Sequence, residues 1–269
     1  MSAIMSQVRV LASQISAHVG ESVTLKGWTH NVRHMGNLAF LMLRDRTGMV
    51  QCVLEGELAS LPIDNEAVVA VTGTVVAAPK AVGGLEVSAS AVEIISPPTM
   101  PLPFEINKKD VKTGLETILD HRVLSLRNPK IHAAFTVQST LAGGFREYLA
   151  SQGFTQIFTP KIVATGTEGG SNLFPIDYFE QRAYLAQSPQ FYKQMMVGAG
   201  FERVFEIAPV YRAEEHNTSR HLNEYLSLDV EVGFIQSEED LMDLETGLLR
   251  HMFGKVAAEC AAEVQLLGV

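Results

Sequence analysis

Cysteine is scarce in this sequence, since Cys52 and Cys260 are the only two in 269 residues. They lie far apart and neither has a second cysteine nearby, which excludes both a disulfide framework and a cysteine-rich zinc site. We therefore expect both side chains to be buried as small apolar groups. No metal site is predicted within the chain.

Long apolar runs are also missing. No window approaches the roughly 20 consecutive apolar residues that a membrane-spanning helix needs. The N-terminus lacks the basic region, apolar stretch and small-residue cleavage site of a secretory signal. The sequence therefore predicts a soluble, cytoplasmic protein that does not contact membranes.

Positive charge is in deficit, because 21 Lys and Arg stand against 30 Asp and Glu and give a net charge of -9. A protein that binds nucleic acid over its whole surface needs clustered cations. The charge balance argues against that class of protein. It is compatible with a local nucleic-acid site.

The first part of the chain contains a series of short β-rich runs. Five of them, VTLKGW, LAFLMLRD, MVQCVL, AVVAVTGTVV and LEVSASAVEII, lie within residues 22–95, and Gly, Pro, Asp and Asn fill the breaks. This spacing predicts a small antiparallel barrel, closed or partly open, and the oligonucleotide-binding (OB) barrel is one option. The prolines of residues 96–103 exclude a helix or a central strand and indicate a linker.

The pattern then changes to a mixture of helices and strands. Pro129 lies near a helix start and Gly153 just past an end, and strand-like runs such as RVFEIAPVYRAE and YLSLDVEVGFI follow. This order predicts an α+β domain. Helical spacing is found in residues 110–126, 129–152, 190–198 and 238–262. The predicted domains are 1–96 for the barrel, 97–128 for the linker and 129–269 for the α+β domain.

Three polar clusters of the second domain could carry chemistry. They are TEGGS at 167–171, QSPQFYK at 187–193 and YRAEEHNTSRHLNEY at 211–225. Taken separately, each also has a plain structural reading: Arg212 and Glu214 could be a solvated pair on a strand, and TEGGS could be a simple turn.

Taken together and in this order, the clusters resemble the class II aminoacyl-tRNA synthetases, and specifically the aspartyl enzymes of the archaeal type. GFTQIFTPKI resembles the first motif of the family, with Pro160 as its fixed residue at the dimer interface. VYRAEEHNTSRHLNEYLSLDVE resembles the second motif, two antiparallel strands joined by a loop, with Arg212 at the Arg that defines it. The resemblance covers nearly the whole chain and implies a homodimer.

The resemblance implies an activity and a set of site residues. The carboxylate of L-aspartate would attack the α-phosphorus of ATP, and Arg212 would hold the two reacting groups together. Lys193 would face the substrate side chain. The related asparaginyl enzymes lack this Lys-bearing signature, so Lys193 favours the aspartyl enzymes. The implied aspartate-binding residues are Glu168, Gln190, Lys193, Arg212 and Asp229. The implied ATP-binding residues are Arg212, Glu214, Arg220, His221, Leu222 and Tyr225, where Tyr225 could instead be plain core packing.

The predicted barrel resembles the anticodon-binding OB barrel of the same family, on the run GWTHNVRHMGNLAFLMLRDRTGMVQCVL. The resemblance implies that Arg33, Phe40 and Gln51 contact the anticodon, although Phe40 could be part of the barrel core. His30 and Pro79 match members that charge both tRNA(Asp) and tRNA(Asn). The expected partners are therefore both tRNAs.

The sequence departs from the family in one respect. The third class II motif, which covers the other face of the adenine, is absent, and so are the late carboxylates that hold Mg²⁺. We therefore expect the catalytic domain to be incomplete at its C-terminus and the Mg²⁺ ligands to lie beyond residue 269. The alternative to a ligase is a non-catalytic protein that binds tRNA.

Overall fold

A computed structural model gives the structure of the protein and describes residues 9–167, 172–215, 218 and 221–269. The chain divides into two compact units, Met1–His121 and Arg122–Val269. The division falls inside the segment 97–128 that the prolines predict to be a linker.

The first unit is a closed five-stranded barrel in the order β1-β2-β3-β5-β4. Its strands coincide with the five β-rich runs, so the predicted barrel is confirmed. The pattern differs from a purely antiparallel barrel at one place, because β3 and β5 run parallel. The strands are β1 Ser22–Met35, β2 Leu38–Asp45, β3 Gly48–Glu55, β4 Val68–Ala77 and β5 Leu85–Ser96.

Alternation of side chains along the strands builds the barrel core. Leu25, Leu41, Leu43 and Val69 have no exposed surface, whereas their strand neighbours point outward. Cys52 belongs to this core, and burial raises the pKa of its thiol to about 12. Cys260 is also buried. Both cysteines are therefore the buried apolar groups that the sequence predicts.

The segment between the barrel and the second unit contains less helix than its spacing predicts. In place of one helix over residues 110–126, the structure has α1 Leu115–Asp120 and α2 Arg122–Ser125. Gly114, in an extended conformation, precedes α1, and His121 leaves the helical region between the two. Local backbone conformation at these two residues therefore overrides the apolar spacing.

The second unit begins with a long helix. Asn128 caps it, because its side chain accepts hydrogen bonds from the backbone N–H groups of Lys130 and Ile131. Gly153 follows the helix with a φ of 80°, which glycine adopts without strain. The helices of the unit are α3 Pro129–Ser151, α4 Gln190–Met196, α5 Glu238–Glu259 and α6 Ala261–Leu267, and a π-helical turn, Val197–Phe201, follows α4.

The predicted single helix over residues 238–262 is wrong in one detail. It divides into α5 and α6 at Cys260, whose φ of -122° and ψ of 29° are not helical. Cys260 is buried, and its Sγ lies 3.2 Å from Thr140 Oγ1 on α3. Tertiary packing against α3 accompanies the break.

Two small sheets complete the second unit. One has the order β11-β10-β6 and the other β7-β9-β8. Phe205 of the first sheet packs with Phe145 and Leu149 of α3 and with Leu248 and Met252 of α5. One face of that sheet is therefore covered by helices, as an α+β domain requires. The strands are β6 Thr155–Gln156, β7 Ile162–Val163, β8 Pro175–Tyr178, β9 Gln181–Leu185, β10 Arg203–Tyr211 and β11 Glu224–Val232.

Within the described part of the chain, every helix is too short or too polar to cross a membrane.

Gly27 provides a test of the barrel packing. A Cβ at this position would overlap the backbone carbonyl oxygen of Arg44 and lie 2.9 Å from Leu43 Cδ2. We expect Gly27→Ala to lower the free energy of unfolding by about 1–3 kcal/mol, because a backbone carbonyl cannot rotate away as a side chain does. Denaturant unfolding followed by the fluorescence of Trp28, the only tryptophan, reports on this unit.

Lys26→Ala, at the neighbouring exposed position, is the control and should change the same free energy by less than about 0.5 kcal/mol. Equal stability of Gly27→Ala and the unmodified chain would show that the close strand approach at Gly27 is not required.

Candidate functional site

The face of the β10–β11 sheet away from α3 and α5 carries polar side chains. The two strands pair antiparallel, with Glu206 opposite Asp229 and Val210 opposite Tyr225. Because side chains alternate along a strand, Tyr225, Asp229 and Glu231 share one face, whereas Val230 packs toward the helices. The predicted second motif, two antiparallel strands joined by a loop, is confirmed in its strands.

Lys193 of α4 lies against this face and is only 4% exposed. Its Nζ lies 3.0 Å from Asp229 Oδ1, 3.2 Å from the carbonyl oxygen of Val230 and 3.4 Å from Glu231 Oε2. Gln190 Nε2 is 3.5 Å from Glu231 Oε2. The structure thus brings together Gln190, Lys193 and Asp229, three of the residues predicted to bind aspartate.

Glu231 is a member of this cluster that the sequence interpretation missed. A signal for it was present, because Asp229 and Glu231 are two residues apart on a strand and must face the same side. The cluster contains one cation and two carboxylates, and Ser227 Oγ donates a hydrogen bond of 2.6 Å to Asp229 Oδ2. Such a cluster can bind both ends of a zwitterion, the carboxylate at Lys193 and the ammonium group at the two acids.

A third carboxylate on the same sheet face, Glu206, is buried, with 2% of its surface exposed. It accepts hydrogen bonds from the backbone N–H of Thr159 at 2.6 Å, from Thr159 Oγ1 at 2.9 Å and from Lys161 Nζ at 2.8 Å. These contacts fix the segment that contains Pro160 to the sheet. Pro160 itself is exposed.

The chain leaves β10 through Tyr211 and Arg212 and returns at the start of β11. The backbone N–H of Arg212 donates to the carbonyl of Asn223 at 2.9 Å, and that of Tyr211 donates to the carbonyl of Ala186 at 2.9 Å. Arg212 and Glu214 are half-buried. Arg212 and Glu214, two of the predicted ATP-binding residues, therefore lie directly after β10, where the Arg212–Asn223 backbone hydrogen bond joins the two sides of the hairpin.

Two other predicted ATP-binding residues, His221 and Leu222, are exposed. His221 Nδ1 lies 2.8 Å from Thr218 Oγ1, both residues are exposed, and Leu222 is 60% exposed. Tyr225 is half-buried and does not belong to the apolar cluster of the unit. Glu168 and Arg220 lie outside the described residues.

For the residues with described positions, no cluster of three or more His, Cys, Asp or Glu side chains has the arrangement of a metal site.

In the first unit, an open groove of about 650 Å³ lies on the outer surface of the barrel. Arg33 and Phe40 are directly opposite on β1 and β2, Gln51 is opposite Met42, and all four line the groove together with Pro79. Phe40 therefore belongs to the groove and not to the barrel core. The structure brings together all three predicted anticodon-binding residues.

Glu86 is a groove residue that the sequence interpretation did not include. Gln51 Nε2 donates a hydrogen bond of 2.8 Å to Glu86 Oε2 across the parallel β3–β5 pair. The contact orients the Gln51 amide within the groove. No local pattern could have revealed it, because the two residues are 35 positions apart.

His30 does not line this groove. It lines a smaller cavity of about 190 Å³ with Glu66 and Asn107. Its Nδ1 lies 2.8 Å from Arg44 Nη1, and the main chain of Asn107 also hydrogen-bonds the ring. Burial and the neighbouring Arg44 guanidinium lower the pKa of His30 below its ordinary value.

Comparison with known proteins gives a family for both units. Residues 114–267 match the family model of the class II tRNA synthetases (D, K and N), and residues 23–95 match that of the OB-fold nucleic acid binding domain. The chain belongs to the class II tRNA synthetases. Membership confirms the family that the motifs resemble.

Relatives similar to this chain include aspartate–tRNA(Asp/Asn) ligases, and two from Pyrococcus species are aspartate–tRNA(Asp) ligases. That of Thermus thermophilus is 54% identical over 97% of this chain and 61% of its own length, and that of Deinococcus radiodurans is 54% identical over 97% and 59%. The chain thus spans about three fifths of the curated relatives it matches. A solved asparaginyl-tRNA synthetase from Pyrococcus horikoshii, complexed with asparaginyl-adenylate, is 32% identical with a TM-score of 0.88, over 98% of this chain and 61% of that one.

The lowered pKa of His30 makes the stability of the first unit depend on pH. Below about pH 6.5 the unfolded chain binds a proton at His30 that the folded chain does not bind, so stability is lost as pH falls. We expect the free energy of unfolding to fall more steeply between about pH 7 and about pH 5 in the unmodified chain than in His30→Gln, by up to about 1.4 kcal/mol per pH unit. Denaturant titrations followed by Trp28 fluorescence at several pH values measure both slopes.

Other titrating groups contribute equally to both proteins and cancel in the difference. Parallel pH profiles for the two proteins would contradict the lowered pKa of His30.

Proposed function

We propose that the whole protein is an aspartate–tRNA ligase, which activates L-aspartate with ATP and transfers it to tRNA(Asp) and also to tRNA(Asn). The observation that carries the proposal is the buried Lys193 between Asp229 and Glu231, on the sheet face that continues into the Arg212 hairpin. The names of the relatives at 54% identity support the same substrate.

The cluster around Lys193 suits aspartate because aspartate has two carboxylates and one ammonium group. The Nζ of Lys193 would bind the side-chain carboxylate, and Asp229 and Glu231 would take the ammonium group. Binding exchanges an ion pair within the protein for ion pairs with the substrate, so no charge is left buried alone. Asparagine offers Lys193 only a neutral amide, and a site built for a buried carboxylate should reject it.

Arg212 would assist the first step of the reaction. A carboxylate oxygen of aspartate attacks the α-phosphorus of ATP, the bond to the β-phosphate oxygen breaks, and pyrophosphate leaves with its electron pair. A guanidinium can donate two parallel hydrogen bonds to phosphate and carboxylate oxygens. Holding both reactants in line supplies much of the rate without a protein nucleophile.

The other hairpin residues would hold ATP, with Tyr225 under the adenine and Glu214, Arg220, His221 and Leu222 around the nucleotide. Mg²⁺ would neutralise phosphate charge in this family. Its ligands would be the late carboxylates that the family resemblance puts beyond residue 269. In the second step, a terminal ribose hydroxyl of the tRNA attacks the aspartyl carbonyl carbon and AMP leaves.

Pyrophosphate exchange into ATP tests the proposal. We would measure aspartate-dependent exchange for this chain and for a chimera extended by the third-motif region of the Thermus thermophilus relative. Exchange by the chimera supports the ligase. If neither form exchanges pyrophosphate but both bind tRNA, the alternative of a non-catalytic tRNA-binding protein is favoured. The chain spans 61% of that relative, so this alternative needs a test.

The role of Lys193 predicts the effect of Lys193→Met in the active chimera. We expect kcat/KM for aspartate to fall at least about 100-fold, because the side-chain carboxylate loses its cation and would face Asp229 and Glu231 directly. The matched control is Lys255→Met, since Lys255 also contacts two carboxylates, Glu147 at 3.1 Å and Glu259 at 2.8 Å, but on the helices. Retained activity in Lys193→Met, or an equal loss of activity in Lys255→Met, would show that Lys193 does not bind the aspartate side chain.

The barrel groove would read the anticodon. Single-stranded bases stack on aromatic rings and hydrogen-bond through their exposed edges, and the groove offers Phe40 beside Arg33 and Gln51. A groove of this kind needs few cations, which reconciles tRNA binding with the net charge of -9. Affinity should still fall as salt rises.

His30 and Pro79 lead us to expect relaxed tRNA specificity. Under conditions in which the chimera aspartylates a tRNA(Asp) transcript, we expect a tRNA(Asn) transcript to be charged at a rate within about tenfold. Acid-gel separation of charged and free tRNA measures both, with a tRNA(Lys) transcript as the negative control. Charging of tRNA(Asp) alone would show that this enzyme discriminates.

We also place the enzyme in the cytoplasm, as a homodimer whose interface includes the Pro160 segment. Phe158 is 82% exposed and Ile162 is 49% exposed on either side of Pro160, so the segment presents two neighbouring large apolar side chains that a partner would cover.

The dimer predicts the effect of a charge at Phe158. Phe158→Glu should shift the chain from dimer to monomer in sedimentation velocity at micromolar concentration, because a carboxylate would be buried without a partner. Met100→Glu, at another exposed apolar residue, should leave the dimer intact. A monomeric unmodified chain, or a dimer in both variants, would contradict this interface.

A further inference from the structure

Strand β1 contains an irregularity at His30. The register with β2 pairs Thr29 with Leu43 and Asn31 with Met42, so that His30 has no opposite residue. One residue on β1 is therefore extra, which defines a β-bulge. Before the bulge the odd-numbered Val23, Leu25 and Thr29 face the core; after it the even-numbered Val32 packs on the core.

The bulge decides which β1 side chains reach the groove. A shift of one residue turns every later side chain to the other face of the strand. Without it, Asn31 and Arg33 would continue the inward-facing series; with it, both are exposed and line the groove. The orientation of a predicted anticodon-binding residue thus depends on a local defect in the strand.

The side chain of the bulged residue, His30, contacts the buried ion pair of Arg44 and Glu66. Arg44 is 7% exposed, and its Nη2 donates to both carboxylate oxygens of Glu66 at 3.0 and 2.8 Å while its Nη1 donates to His30 Nδ1 at 2.8 Å. A guanidinium has only donors, so Nδ1 must accept and the imidazole is held in one tautomer. Arg44 therefore fixes the ring of His30 to Glu66.

The backbone of Glu66 has an uncommon conformation. Its φ is 66°, in the left-handed region that costs a side-chain-bearing residue about 1 kcal/mol or more. Its N–H donates to the carbonyl of Thr29 at 2.7 Å, and the N–H of Thr29 donates to the carbonyl of Ala67 at 2.8 Å. The main chain of Glu66 thus holds β1 at the residue before the bulge, and its side chain holds His30 through Arg44.

We propose that Arg44 and Glu66 are positioning residues for anticodon recognition, which hold the bulge at His30 and thereby turn Asn31 and Arg33 into the groove. The proposal rests on the anticodon-binding function proposed above. Neither residue touches RNA, because both are buried and neither lines the groove. Substitution at His30 would on this account alter tRNA specificity indirectly, through the strand.

Fluorescence anisotropy of a labelled RNA hairpin with the Asp anticodon, titrated with the full chain, tests the proposal. We expect Glu66→Gln to raise Kd about tenfold, since Arg44 Nη2 would lose the carboxylate that it contacts and Arg44 would no longer hold the His30 ring. The matched control is Asp45→Asn, because Asp45 is equally buried in the barrel but binds the backbone N–H groups of Ala12 and Thr47 at a different turn. It should change Kd by less than about twofold.

A double-mutant cycle separates positioning from general loss of stability. If Glu66 acts through Arg33, then Glu66→Gln should change Kd by less than about twofold in an Arg33→Ala background. Glu66→Gly removes the carboxylate but also relieves the backbone strain, so it should remain folded by Trp28 fluorescence and still bind weakly.

Three results would overturn the positioning role: a full tenfold effect of Glu66→Gln on top of Arg33→Ala, an equal loss in Asp45→Asn, or unchanged binding by Glu66→Gly. Failure of the anticodon function itself has a different signature. In that case the unmodified chain does not bind the hairpin, or Arg33→Ala leaves its Kd unchanged.

Discussion

The alternation of side chains along a β-strand is the constraint on which both sites depend. In the second unit it turns Phe205 and Val230 toward the helices and Glu206 and Asp229 to the opposite face of the β10–β11 sheet. A polar face beside a core must satisfy its charges, and Lys193 and Lys161 do so for Asp229 and Glu206. The same alternation therefore creates the core and the binding surface together.

The barrel uses the alternation differently. Its core needs an unbroken series of inward residues, whereas the groove needs Arg33 on the outside at a position where the series would point it inward. The bulge at His30 resolves this conflict by changing the phase of β1 once. Local disruption of the hydrogen-bond ladder is the cost, and the contacts from Glu66 and Arg44 offset it.

What the sequence could predict follows from how local each signal is. The five strands and the α+β order can be predicted because alternation, helical spacing and Pro or Gly breaks are short-range patterns. Lys193 and Arg212 can be predicted because each lies within a long sequence motif. The break at Cys260 and the phase change at His30 arise from tertiary packing and strand pairing, which propensity does not contain. Glu206 contacts Thr159 from 47 residues away, so no window includes both.

Buried ion pairs seldom add net stability, because desolvation costs about as much as the pair returns. Glu66 carries a further cost in its left-handed backbone. What the pair adds beyond packing is direction, because Arg44 orients the His30 ring beside the bulge. Arg44 reaches His30 and Lys193 reaches the sheet face for the same physical reason: a charged hydrogen bond fixes direction, whereas apolar packing fixes only volume.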